Sequence, residues 1–224
     1  MTNFMTEIHS SDIAAIAVQL DRLLLDGDRI KLLPASFYDQ FEWMSLRLWC
    51  HARAFYTIPT IELIEWLKAK IDDRSAIEVA AGNSSIGFHL GIPASDSYCQ
   101  HLPDLQLYYE TNGQPITKPL PEVEKLEAVA AVTKYHPQVV VASWLTQKYQ
   151  AGDESGAVNS SIYGADESEI LNRVETYIHI GSRLSHGDKR ILKYPYQEIE
   201  LPGLITRGAG QSVIYVWDKT NEFC

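Results

Sequence analysis

The run Gln138-Val139-Val140-Val141-Ala142-Ser143 limits the folds open to this chain more than any other stretch. Consecutive valines leave no polar side to face water, so the strand they form is covered on both faces and lies inside a parallel sheet. Parallel neighbours need crossover connections, usually helices. From Ser75 onward the chain supplies an alternation of strand and helix signals, which is the pattern of an α/β domain.

A second stretch sets where such a domain would bind a ligand. Ala76-Ile77-Glu78-Val79 is a short apolar strand, and Ala80-Ala81-Gly82-Asn83-Ser84-Ser85 is a small-residue turn that opens a helix over about 84–90. Small side chains keep the backbone bare, and a helix starting there points unpaired N–H groups at the turn. Glu78 is an acid near the carboxyl end of a buried strand, the edge at which open α/β sheets hold ligands. The next strand, near Ala94, ends in Asp96, followed by Ser97 and Tyr98. An ordinary tight turn capped by Asp96 uses the same residues.

The strand ending in an acid and followed by glycine positions resembles the first motif of class I S-adenosylmethionine-dependent methyltransferases. The acid is Glu78, and the three glycine positions hold Ala80, Gly82 and Ser84, so only the central glycine is kept. The resemblance covers about residues 75–217 in element order and implies a Rossmann-like fold: a mostly parallel central sheet with a C-terminal antiparallel strand, preceded by N-terminal helices. It divides the chain into a helical cap over 1–74 and a cofactor-binding domain over 75–224. It implies S-adenosyl-L-methionine as cofactor, with Glu78, Ala80, Gly82 and Asn83 near its amino-acid end. Asp96 would hold the ribose, with Ser97 and Tyr98 beside the adenosine. The end of the valine strand, where the family meets the transferred methyl group, carries Ser143 and Trp144. Helices before the first strand form a lid in many members, which brings Tyr56 and Thr60 toward the pocket. The family's Asp/Asn-Pro-Pro-aromatic motif of amino-methylating enzymes is replaced here by Ser143-Trp144-Leu145-Thr146. A dinucleotide fingerprint (Ala80, Gly82, Ser85) fits less well, because Asp96 lies too close to the turn for the acid it requires.

Three N-terminal helices are expected: one after the Ser10-Ser11-Asp12 cap, one over about Pro34 to Ala54 with Phe37, Phe41, Met44 and Leu48 on a face, and one from near Pro59. Segment 101–121 reads as loop with a short third strand at Gln114–Lys118, and a helix should start at Pro121. The polar loop 150–164 reads as a substrate lid or a mobile tip. Later elements are a helix opened by Asp166, strands at Thr176–Gly181, Ile191–Pro195 and Ser212–Trp217, and a turn with His186 and Asp188. That pair is the one nearby candidate for acceptor deprotonation, though a turn of this kind is usually solvated. His179 reads as a core histidine.

Composition narrows the function. With 46% hydrophobic and 21% charged residues the chain is globular. A net charge of −10 with no basic run disfavours nucleic acid and favours a small-molecule acceptor. No run suits a membrane span, and residues such as Glu7 and His9 do not suit a signal peptide. Cys50, Cys99 and Cys224 lack metal spacing and read as free thiols, so a cytoplasmic protein is expected, with a homodimer left open. The expected activity is methyl transfer to a small acceptor. The alternative is a methyltransferase-like binding or scaffold module without catalysis, which the altered glycine positions favour.

Overall fold

The computed structural model describes residues 10–83, 85–150, 160–208 and 210–220, with side chains from residue 15. Ser84, the third glycine position, therefore lies outside the described residues, as do Glu7, His9, Cys224 and residues 151–159 of the polar loop.

Seven strands form one sheet: β1 (Ala76–Val79), β2 (Ala94–Asp96), β3 (Val123–Lys125), β4 (Val139–Ser143), β5 (Thr176–Ser182), β6 (Gln197–Ile199) and β7 (Ser212–Asp218). Their order is β3-β2-β1-β4-β5-β7-β6. The pairs among β3, β2, β1, β4 and β5 are parallel, while β7 runs antiparallel to both β5 and β6. This is the mostly parallel α/β sheet with an antiparallel C-terminal strand that the sequence predicts.

The valine strand β4 sits between β1 and β5, as its double-sided apolar pattern demands. Side chains of alternate residues enter different cores. Val140 and Ala142 join Ile77, Val79, Tyr177 and Trp217 against the helices Ala128–Tyr135 and Glu167–Arg173. Val139 and Val141 join Ile178, Ile180 and Ile214 against Leu63, Ile64 and Leu67 of the helix Ile61–Ile71. Each fully buried aliphatic side chain there contributes about 1.5–3 kcal/mol relative to exposure. The Ile61–Ile71 helix thus covers the sheet, with Thr60 Oγ1 accepting from Leu63 N–H at its start. The helices Ser10–Leu24 and Trp43–Ala52 instead share a separate cluster containing Leu20, Leu24, Tyr38, Trp49 and Phe55.

Several sequence expectations are corrected. The single helix over Pro34–Ala54 is a 3-10 turn, Ala35–Gln40, and a helix, Trp43–Ala52, separated by extended Phe41 and Glu42. Its buried face is Leu46, Trp49 and Cys50, and Met44 is exposed. Segment 101–121 contains a helix, Pro103–Thr111, whose residues are not buried, so no amphipathic stripe marks it. The third strand is Val123–Lys125 and not Gln114–Lys118; the following helix starts at Ala128, capped by Glu127. Ile191–Pro195 is mostly a 3-10 turn, and the edge strand is Gln197–Ile199.

Candidate functional site

At the carboxyl ends of β1, β2 and β4 lies a narrow cleft of about 150 Å3. Its wall includes Tyr56, Glu78, Ala80, Gly82, Asn83, Asp96, Ser97, Ser143 and Trp144; of the residues expected at the cofactor, Tyr98 and Thr60 are not among them. Tyr98 turns away: its hydroxyl donates to Val123 O at 2.8 Å. Thr60 is spent as the helix cap and is fully buried. Tyr109 lines the cleft beside Thr117, Leu145 and Thr146, while its neighbour Tyr108 is exposed.

The turn after β1 is held by the two acids. Glu78 is buried, and its Oε2 accepts from Gly87 N–H at 2.7 Å, inside the helix Ile86–Leu90, whose N-cap residue Ser85 makes no side-chain cap bond. Asp96 takes Gly82 N–H on Oδ2 at 2.9 Å and Tyr98 N–H on Oδ1 at 2.7 Å. One carboxylate therefore ties the end of β2 to the bend after β1. Both oxygens keep further acceptor capacity, since a carboxylate offers about four lone-pair directions.

Backbone strain collects at this edge. Ala80 has φ +52°, Tyr98 +57° and Trp144 +57°, each just past the end of a strand. An L-residue with a Cβ in this left-handed region costs about 1–2 kcal/mol. Gly82 at φ +56° avoids that cost, and a Cβ there would meet Thr117 Cγ2 at 3.1 Å. Replacing Ala80 by glycine is therefore expected to stabilise the chain by about 1 kcal/mol in urea unfolding. A loss of stability would mean that the turn does not hold a left-handed residue there.

The far end of the cleft is aromatic. Tyr56 and Trp144 lie 5.7 Å apart, and Ser143 Oγ is 2.8 Å from Thr57 Oγ1. The Arg207 guanidinium covers both rings, with Cζ 3.9 Å from the Tyr56 centroid and 5.2 Å from that of Trp144. Sequence reasoning missed Arg207. It arrives because Ile205–Thr206 pairs with Thr57–Ile58 and Arg207 N–H donates to Tyr56 O, and no periodicity marks that contact.

Behind the cleft is a buried polar cluster. Lys189 Nζ donates to Glu167 Oε1 at 2.7 Å, to Leu145 O at 2.7 Å and to His179 Nδ1 at 3.4 Å. Tyr177 donates to the same Glu167 oxygen at 2.7 Å. Because His179 Nδ1 accepts, its proton is on Nε2, which has no partner among the described residues. His186 lies between this cluster and the cleft, its ring 4.7 Å from His179 and 4.9 Å from Trp144. His186 and Asp188 do not form a pair: His186 is buried, Nδ1 accepting from Ser182 N–H, and Asp188 is exposed. Burial drives the His186 pKa down to about 3, with Lys189 adding to the effect. An imidazole made so weak a base by burial does not fit the deprotonating role expected for it. His179 is buried in the core, as the sequence predicts.

Among the described residues no helix is long and apolar enough to cross a membrane, and no group of His, Cys, Asp and Glu residues is arranged to hold a metal ion.

No family model matches the chain, and no curated protein matches it in sequence. Among solved structures it is similar to protein 1320 of Thermoplasma acidophilum, at 13% identity and a TM-score of 0.35, over 70% of this chain and 81% of that one. A mutant of DNMT2 from Spodoptera frugiperda matches at 11% identity and a TM-score of 0.35, over 66% of this chain and 51% of its own. A candidate RNA methyltransferase of Pyrococcus horikoshii matches at 11% identity and a TM-score of 0.34, over 97% and 100%. Scores this low add no weight, so the assignment rests on the sheet itself. With a parallel sheet closed by an antiparallel strand, and with Glu78 next to the end of β1 and Asp96 at the end of β2 beside the bend at its carboxyl edge, the chain has a class I methyltransferase-like fold.

Proposed function

We propose that this protein is an S-adenosylmethionine-dependent methyltransferase acting on a small-molecule acceptor, in a reducing, cytoplasmic setting. The observation that carries the reading is the cleft at the carboxyl edge, where Glu78, Gly82, Asp96 and Ser143 meet on one wall. The donor set suits the cofactor. Bare backbone runs from Ala80 to Gly82, and the Asp96 carboxylate, oriented by two N–H groups, retains lone pairs for ribose hydroxyls. When bound, S-adenosylmethionine supplies a methyl group already activated by its sulfonium. The chain's own part is to hold the acceptor in line and keep water out. Ser143, Trp144 and Tyr56 wall the side where the acceptor would enter, and Phe55 to Thr57 supply the lid from the N-terminal segment. The net charge of −10 favours a small acceptor over a nucleic acid.

The cleft volume of about 150 Å3 is below the roughly 300–1,000 Å3 of pockets that enclose drug-sized ligands. Occupation therefore requires Thr117 and Tyr109 to draw back from the bend. This narrowness, with the strained Ala80, favours a second reading: a binding or scaffold module that has lost the cofactor. Titration calorimetry separates the two. The methyltransferase reading expects S-adenosylhomocysteine to bind with a Kd on the order of 1–100 μM. No heat at high micromolar ligand leaves the scaffold reading.

A further inference from the structure

Arg207 lies over the aromatic end of the cleft, and Arg47 and the imidazole of His51 stand near enough for the charges to interact. Arg47 and His51 are one helical turn apart on the helix Trp43–Ala52, and the His51 imidazole experiences the charge of both arginines. The chain carries a net charge of −10, and most of its described arginines are paired: Arg29 with Glu122, Arg53 with Asp21, Arg74 with Glu175, Arg173 with Glu169, Arg183 with Glu198. Among the described residues none of Arg47, His51 and Arg207 has a carboxylate partner, and the Arg207 guanidinium makes no side-chain hydrogen bond. It lies over ring faces, which leaves its edge donors available. Trp144 adds a further donor. Its Nε1 is buried and without a partner among the described residues. Cζ2 of the same indole is 3.3 Å from where a Cβ on Gly208, the next residue after Arg207, would stand. Arg207, a cation without a carboxylate partner in an acidic protein, is stacked on two rings of the cleft wall, one of which carries an unsatisfied N–H, and so lacks an anion.

We propose that Arg207, supported by Arg47 and His51, seats an oxyanion of the acceptor, a phosphate or carboxylate group carried by a small molecule. The word acceptor rests on the methyltransferase reading; the anion seat does not. Planar N–H forks match both groups geometrically, and neighbouring positive charge strengthens such bonds. The bound anion would also relieve the repulsion at His51, whose pKa is lowered first by burial and then by Arg207 and Arg47.

The test uses the full chain with inorganic phosphate, and acetate as the carboxylate probe, each titrated against chloride at constant ionic strength. The readout is the His51 imidazole resonance, assigned with His51→Gln. Saturable binding that moves the His51 pKa upward is expected, weakened about tenfold in Arg207→Gln and less in Arg47→Gln. Arg47 is exposed, so its variant reports even if Arg207→Gln folds poorly. Absence of saturable binding by both probes, or equal binding in both variants, overturns the proposal. So does a single-stranded RNA oligomer that binds far more tightly than phosphate with a salt dependence of several charges, since that describes a nucleic-acid groove. Calorimetry with S-adenosylhomocysteine keeps the two readings apart. Cofactor binding without phosphate binding removes only the seat. Phosphate binding that depends on Arg207, without cofactor binding, removes only the methyltransferase assignment.

Discussion

Replacing Lys189 by methionine is expected to destabilise the protein by about 3–5 kcal/mol and to lower its Tm by about 10 °C. Lys189 and Glu167 are both almost fully buried, and one ammonium supplies the partners of Glu167 Oε1, Leu145 O and His179 Nδ1. Methionine fills a similar volume but donates nothing. It leaves the Glu167 carboxylate in the core without its cation, with Tyr177 as its remaining donor among the described residues, and a carbonyl without a bond. The large cost comes from the orphaned carboxylate and not from the worth of the pair. The variant Lys189→Met with Glu167→Leu should therefore recover much of the loss. Urea unfolding of the native chain, the single variant and the double variant measures this. A single variant within 1 kcal/mol of the native chain, on the scale of an exposed ion pair, would mean that the cluster is hydrated.

Stability should fall steeply as pH drops from about 6.5, before carboxylates begin to protonate. His186 is buried with its pKa driven down to about 3, and His179, fully buried beside Lys189, is shifted in the same direction. Unfolded, each imidazole takes up a proton near pH 6.5. Below that value the unfolded chain holds more protons than the folded one, so the stability these groups contribute is complete above about pH 6.5 and is lost as pH falls toward the folded values. Each contributes a slope approaching about 1.4 kcal/mol per pH unit in that window. Asp21, Glu122 and Asp218, whose pKa values are lowered by hydrogen-bonded partners despite some burial, add their losses only at lower pH. The range from pH 6.5 to 5 therefore isolates the histidines. In His186→Gln the slope there should drop by about 1 kcal/mol per pH unit. An unchanged slope would show that His186 is protonated, or open to water, in the folded chain.

Both predictions concern contacts that no local pattern reveals. Glu167 stands in the first turn of its helix and Lys189 just after the turn of His186 and Asp188; they meet only because β5 brings the segment after it back beside the helix Glu167–Arg173. The same physics explains what was legible. β4 and β7 announce themselves because consecutive apolar residues are buried on both faces. β3 hides because only Val123 of its three residues is buried, and Val123, Leu126 and Val129 also suit a helical face. The Pro103–Thr111 helix buries no residue, so it leaves no stripe to read. At the cleft, Glu78 and Asp96 are readable because each is an acid at or next to the carboxyl end of a strand. At Ala80, which stands where the motif has a glycine, the φ of +52° shows that the turn keeps a glycine's conformation. Arg207 depends on a pairing between segments some 150 residues apart in sequence, Thr57–Ile58 with Ile205–Thr206, and remains invisible until the chain folds.

A crystal structure of the full chain grown with S-adenosylhomocysteine tests the central claim most directly. The account predicts the ribose hydroxyls on the Asp96 carboxylate, the ligand's backbone along Ala80 to Gly82, its sulfur facing Ser143 and Trp144, and Thr117 displaced from Gly82. A cleft still closed by Thr117 and Tyr109 at saturating ligand, or a ligand bound anywhere else, would contradict it and leave the architecture without the enzyme.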